Sequence, residues 1–261
     1  MLSVERAWGY PRALFCSKVT MTVIWIPYSP YGAQGRELEL AIAGWRRHFL
    51  CDDYVIAVVG EHLPRIKGKD VVCIESPRVD EIPFMYTQHL DYVSCMKACY
   101  ARFPDTDGII FAADDNYLVR DITLSDVQAL KYRDTEMNVN PACGGWKYDQ
   151  YRTRQLLDRE GLPHINYTTH VPCWFRWDRL EELWARYDME HESYVVENLY
   201  FNTYHRGEIA LQCNEVKFQL TQPDQWQLVP EQMKVKAWIC NSPEGYTREL
   251  EKILVDYYGL Y

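Results

Sequence analysis

Ile109-Ile110-Phe111-Ala112-Ala113-Asp114-Asp115-Asn116-Tyr117 decides how the rest of the chain is read. Five apolar residues in a row suit a strand covered on both faces. Two carboxylates follow at once. Adjacent ionised carboxylates just beyond a buried strand repel each other and need a compensating charge, which a divalent cation supplies. Carboxylate and amide oxygens suit Mg²⁺ or Mn²⁺. Asp114, Asp115 and Asn116 are therefore candidate metal ligands, with Asp114 and Asp115 reaching a nucleotide diphosphate through the cation. The competing reading is a solvated turn with a helix cap, which Asp and Asn suit equally well.

The elements before this stretch give the pair its context. Thr20–Ile26 is a β-branched apolar run stopped by Pro27 and Pro30, a buried strand ending in a loop. In Glu37–Phe49 the residues Leu38, Ala41, Ile42, Trp45 and Phe49 form one helical stripe. Tyr54–Val59 and Val71–Ile74 are short strands, Met85–Phe103 is a helix, and Gly108–Ala113 is the strand that delivers the acidic pair. This order predicts an α/β fold built on a mainly parallel, doubly wound sheet. Ligands of such sheets bind beyond the carboxyl ends of the strands, where the Pro27–Arg36 loop and Asp114–Leu118 both lie. Downstream, Thr123 and Asp126 form a capping-box pattern. Asn138–Gly145 reads as an extended piece, Asp149–Arg159, Arg179–Tyr187 and Thr247–Tyr258 as helices, and Ile209–Leu211 and Val235–Cys240 as strands.

The bulk properties narrow the function classes. A chain of 261 residues with 48% apolar and 25% charged residues is long enough for one large folded domain. A net charge of -9 argues against a nucleic-acid partner or a broad anionic-lipid surface. The nine cysteines are odd in number and scattered, and no C-x-x-C pair occurs. That pattern predicts reduced thiols in a cytoplasmic protein rather than a disulfide framework or a zinc site. The first 20 residues carry charges and prolines that break any signal-peptide core, and no apolar run is long enough to span a bilayer. Work at a membrane surface would go through a partner. The 9 Trp and 20 Tyr suit sugar rings, whose C–H faces stack while their hydroxyls hydrogen-bond; core packing is the plainer use of any one of them. P-loop, Ser-His-Asp and zinc-hydrolase motifs are absent.

On these residues the first half of the chain, Thr20 to about Leu118, resembles the nucleotide-diphospho-sugar transferase (GT-A) fold. The resemblance implies a metal-dependent glycosyltransferase, a hexosyltransferase type moving a sugar from a nucleotide-sugar donor to a carbohydrate or glycoconjugate acceptor. It also implies a single domain, 1–261, with a donor half to about residue 118 and an acceptor half beyond. Asp114-Asp115-Asn116 stands where that fold carries its D-x-D motif and lacks the second Asp. In the loop after the first strand, Tyr28 and Tyr31 would stack on the nucleobase, while Arg36 would contact phosphate or fix the helix start. Gly32 and Gly35 would allow close backbone approach.

Glu197, an acid within the apolar segment Tyr194–Asn202, is costly unless paired or functional. By the same resemblance it is the candidate general base for the acceptor hydroxyl, the alternative being a helix N-terminal acid favoured by the dipole. His170, set in a loop by Pro172, is a second catalytic candidate, as a ligand or as an acceptor or phosphate contact; His205 is a weaker one. Trp174 and Trp177 would form an acceptor platform or close the core.

A narrower resemblance, to Stealth-type capsular-polysaccharide sugar-phosphate transferases, rests on Ala113-Asp114-Asp115, His170-Val171-Pro172 and Trp238-Ile239-Cys240-Asn241. It implies transfer of a sugar 1-phosphate. The opening V-Y-T-W-V-D segment of that family has no counterpart in Val23-Ile24-Trp25-Ile26-Pro27. A third reading is a non-catalytic nucleotide-sugar-binding protein.

Overall fold

A continuous apolar strand can satisfy both of its faces only inside a three-layer sandwich, and that is where the first strands lie. The computed structural model describes residues 21–79, 87–137, 139–140, 142 and 144–261. In chain order the elements are β1 (Thr22–Tyr28), α1 (Glu37–His48), β2 (Tyr54–Gly60), β3 (Val71–Glu75), α2 (Gln88–Arg102), β4 (Gly108–Phe111), β5 (Asn116–Leu118), α3 (Leu124–Gln128), β6 (Lys131–Tyr132), α4 (Gly145–Arg159), β7 (Cys173–Arg176), α5 (Trp177–Arg186), α6 (Val196–Tyr204), β8 (Leu211–Gln212), β9 (Lys217–Leu220), α7 (Val229–Gln232), β10 (Trp238–Asn241) and α8 (Arg248–Tyr258). Thr20, the expected helix start at Met85, and Asn138, Pro141 and Cys143 of the expected extended piece lie outside the described residues.

The central sheet runs β3-β2-β1-β4-β7. Its first four strands are parallel, and β7 joins β4 antiparallel. Alternation along the strands sorts their side chains between two cores. Val23, Trp25, Val55, Ala57, Val59 and Ile109 face α2 and the helices of the second half. Ile24, Ile26, Ile56, Val58 and Ile110 face α1, meeting Leu38, Ile42, Trp45 and Phe49. Each fully buried side chain of this kind contributes about 1.5–3 kcal/mol. Gly60 closes β2 against β1: a Cβ there would lie 1.9 Å from the Tyr28 carbonyl oxygen, so only glycine allows this approach.

The expected parallel sheet therefore holds for four strands, and β7 departs from it. The chain leaves β4 at the acidic pair, makes a long excursion and re-enters from the same end, so it pairs antiparallel without a crossover. A second sheet, β5-β10-β9, packs with α8 around Leu40, Tyr117, Ile239, Leu250 and Leu254. The chain thus passes from the central sheet into the second one across residues 112–115. The capping box at α3 forms as expected: Asp126 N–H donates to Thr123 Oγ1, and Thr123 N–H to Asp126 Oδ2. Among the described residues no helix is long and apolar enough to cross a membrane, and seven described cysteines are free thiols.

Candidate active site

Four parallel strands end at one edge, and a cleft of about 960 Å³ opens across it. One side is formed by Tyr28 at the end of β1, Tyr31 and Gly32 after it, Glu61 after β2 and Arg78 after β3. The middle is formed by Asp114, Asp115 and Asn116. The other side holds Arg133, Trp146, the Tyr167–Cys173 segment and Glu197. Asp114, Asp115, Asn116, His170, Glu197, Tyr28 and Tyr31 are thus brought together around one space, from positions up to 169 residues apart.

The acidic pair is set by its neighbours in both sheets. Ala112 N–H continues the β4 ladder to the Trp25 carbonyl at 2.9 Å, and Asn241 N–H donates to the Asp115 carbonyl at 3.3 Å. Burial, the charge of Asp115 and that of Glu37 push the Asp114 carboxyl up to about 8. Burial and Glu37 push Asp115 up to about 7, against the opposing charge of Lys217. Asp115 Oδ1 and Asn116 Oδ1 are buried without a hydrogen-bond partner. Oxygen atoms left so in a protein wall are open to a water, an ion or a ligand.

Those atoms fit a hard cation. Mg²⁺ or Mn²⁺ is commonly held by one or two carboxylates and completed by substrate phosphates. Among the described residues no group of three or more His, Cys, Asp or Glu side chains forms a cation site by itself, so a cation there would take its remaining ligands from water or a bound molecule. Asn116 also has a structural task, since its Nδ2 donates to the His170 carbonyl.

Glu37 is a site residue that the sequence reading missed. It sits in the first turn of α1, is 3% exposed, and accepts hydrogen bonds from Asn241 Nδ2 at 2.8 Å and Gln34 N–H at 2.7 Å. Tyr117 O–H donates to Asn241 Oδ1 at 2.7 Å, completing a buried chain behind the acidic pair. Desolvation raises the Glu37 carboxyl despite these two bonds. The available signal was its place four residues before Ala41 and eight before Trp45 on the apolar stripe of α1. Lys217 and the arginines Arg78 and Arg133 were also missed, and nothing in their local sequence marks them.

Glu197 occupies the first turn of α6. The helix dipole favours its charged form, yet loss of hydration outweighs that and pushes its pKa up to about 7; Oε2 is buried without a partner. His170 has a left-handed backbone, φ 51, and its ring faces the cleft. His170 is exposed to the cleft; packing around the loop and the positive charges of Lys217 and Arg133 lower its pKa below the usual histidine range, so the imidazole is neutral at pH 7. On the first side of the cleft, Arg78 lies 5.7 Å from the Tyr31 ring centroid and 3.8 Å from Asp91, and Tyr31 is 74% exposed.

Five expected contacts are placed elsewhere. The Arg36 guanidinium grips both oxygens of Glu39 at 2.7 and 2.8 Å and the Leu260 carbonyl, so it fixes the helix start and does not reach the cleft. The close approach at Gly35, φ 46, is to Tyr246 and not to a ligand. Because β7 runs away from the cleft, Trp177 lies at the opposite end of β4, 3% exposed, with Nε1 donating to Thr106 Oγ1 at 2.9 Å. Trp174 packs against the core shared with α1. These two rings close the core; the tryptophan at the cleft is Trp146. His205 ends α6 between Arg179 and Glu208, one helix length from Glu197.

No family model and no curated protein matches the chain. Solved structures are similar to it, one of them a glycosyltransferase. The latter is the crystal structure of a glycosyltransferase involved in the glycosylation of the major capsid of PBCV-1, with a TM-score of 0.43 and 12% identity over 92% of this chain and 100% of that one.

Proposed function

We propose that this protein is a metal-dependent glycosyltransferase that takes a sugar from a nucleotide-diphosphate donor and passes it to a carbohydrate or glycoconjugate acceptor. The observation that carries the reading is the pair of buried, unpartnered oxygens of Asp115 and Asn116 in a strand-edge cleft, with the unpartnered Oε2 of Glu197 in the same wall. The donor lies toward Tyr28, Tyr31 and Arg78, where aromatic faces and a guanidinium suit a nucleobase. The acceptor lies toward Trp146 and Glu197. In this arrangement the GT-A-like donor half ends near Leu118, and the remainder shapes the acceptor side.

Asp114, Asp115 and Asn116 would hold Mg²⁺ or Mn²⁺ together with the donor phosphates. Bound there, the cation neutralises charge growing on the leaving diphosphate. Glu197 accepts the proton of the acceptor hydroxyl; a pKa near 7 matches that task at neutral pH. Neutral His170 donates or accepts one hydrogen bond at the phosphates or the acceptor. With Glu197 as base, the displacement is single and inverts the anomeric carbon.

Asp115→Ala is expected to abolish both turnover of nucleotide sugars and Mn²⁺-dependent nucleotide binding while leaving the chain folded. Unchanged turnover rejects the site.

A second reading, transfer of a sugar 1-phosphate, draws on one observation. Two of the three segments resembling Stealth-type enzymes touch, Asn241 N–H at the Asp115 carbonyl, and the third meets Asn116, the residue after the acidic segment, through the His170 carbonyl. The released nucleotide separates the two: a diphosphate means glycosyl transfer, a monophosphate phosphosugar transfer. Binding of nucleotide sugars without either product marks a non-catalytic module.

A further inference from the structure

Lys217 lies in β9, outside the cleft wall, and is 5% exposed. A buried ammonium loses much of its hydration and is normally matched by a carboxylate. Among the described residues none pairs with it. Its Nζ instead donates to the Thr169 carbonyl and to Gln219 Oε1 at 3.2 Å, both neutral acceptors. The residue after Thr169 is His170, whose own carbonyl accepts from Asn116 Nδ2.

Two successive carbonyls of one loop are thus pinned by side chains from the second sheet, one from β9 and one from β5. The side chain of Thr169 closes the same turn from the other side, its Oγ1 accepting from Val171 N–H at 3.2 Å. Between these anchors His170 takes the left-handed backbone conformation, φ 51, that a non-glycine residue adopts only where its surroundings enforce it. With both carbonyls turned to the second sheet, the His170 side chain is left to the cleft.

We infer that Lys217 is a positioning residue: its ammonium holds the Thr169–His170 peptide units so that the His170 imidazole is presented beside Asp114-Asp115-Asn116. The inference rests on the proposed transferase reading only for its kinetic consequence; the placement of His170 is a property of the fold. A charged donor forms a stronger hydrogen bond to a carbonyl than a neutral one, so an ammonium suits this anchor. Its charge also falls on Asp115 and on the phosphate region, in the direction that favours an anionic ligand.

The test compares wild type, Lys217→Met and Lys217→Arg as full chains. Diethyl pyrocarbonate modification of His170 is followed by peptide mass spectrometry, with exposed His62 as internal standard, alongside steady-state kinetics with nucleotide sugars and Mn²⁺. Lys217→Met should change the modification rate of His170 relative to His62 by about threefold or more, because the loop is no longer held in one arrangement. It should lower kcat by about tenfold or more with donor KM within about twofold, and Lys217→Arg should recover both. If Lys217→Met does not fold, Lys217→Gln, which keeps a donor and drops the charge, carries the same comparison. Unchanged relative reactivity of His170 in a folded variant overturns the inference, as does an arginine variant no better than the methionine one. If wild type neither binds nor turns over any nucleotide sugar, the transferase reading fails, while the His170 reactivity still decides the role of Lys217.

Discussion

Replacing Glu197 by glutamine separates two consequences of one buried carboxylate. In the folded chain the Glu197 carboxyl is raised from 4.5 to about 7, because its charged form loses hydration that the helix N-terminus replaces only in part. At about 1.4 kcal/mol per pH unit, ionised Glu197 opposes folding by about 3 kcal/mol once the pH exceeds the folded value. The sign follows from proton binding. Between 4.5 and about 7 the folded chain keeps a proton that the unfolded chain has released, so wild-type stability falls as the pH rises through that window.

Glu197→Gln is neutral at every pH and loses nothing there. Any fixed cost of seating an amide cancels when variant and wild type are compared at both ends of the window. Urea unfolding should show the variant gaining about 2–3 kcal/mol on wild type between about pH 5 and pH 8. The same substitution removes the proton acceptor, so transfer to acceptor should fall by about 10²–10⁴-fold with little change in donor KM. Parallel stability curves for the two proteins would refute a desolvated carboxylate. Undiminished transfer would refute the base.

Three further outcomes are expected. Protons must leave Asp114 and Asp115, raised to about 8 and about 7, before a cation binds. Calorimetric affinity for Mn²⁺ with a nucleoside diphosphate should therefore weaken steadily as the pH falls from about 8 to about 6, and a flat profile would contradict the assignment. Glu37→Gln removes a charge that raises both carboxyls, so the same titration should move to lower pH; a move to higher pH would show that the Asn241 contact matters more than the charge. Trp177→Phe loses the indole bond to Thr106 and should cost about 1–2 kcal/mol of stability with acceptor KM unchanged. A changed KM at full stability would return Trp177 to the acceptor site.

The parts of this fold that were legible in the sequence are those whose signal is local. β1, β2, β3 and β4 announce themselves as apolar runs, α1 and α8 as stripes, and α3 by its capping box, because hydrophobic periodicity reports burial directly. The elements that escaped are short and depend on distant partners. β5 is three residues long and is a strand because β10, more than a hundred residues later, pairs with it. β9 is defined by the same partner. β7 was read only as an aromatic stretch. Ile209–Leu211 and Val235–Cys240 were expected a few residues too early, at Leu211–Gln212 and Trp238–Asn241, since edges of short strands are fixed by pairing and not by composition.

The site divides in the same way. Asp114, Asp115 and Glu197 are acids in apolar surroundings, a visible conflict between residue type and context. Arg36, Trp174 and Trp177 carry plausible chemistry, but only the direction of β7 and the position of Glu39 decide where they point. Lys217 has no conflict to display until the fold buries it.

The passage of the chain from one sheet to the other at residues 112–115 has a consequence for the order in which the protein matures. The four parallel strands are made of residues 22–111 and can pair as soon as that length has emerged from the ribosome. The partner that fixes β5, and the Asn241 that grips both Glu37 and the Asp115 peptide, are translated about 125 residues later, many seconds at ordinary elongation rates. During that interval the carboxylates lie at the end of β4 without their second wall. The surroundings of the acidic pair are therefore completed late, when β10 slots between β5 and β9. A nascent chain stalled before residue 238 would hold a folded core and no working centre.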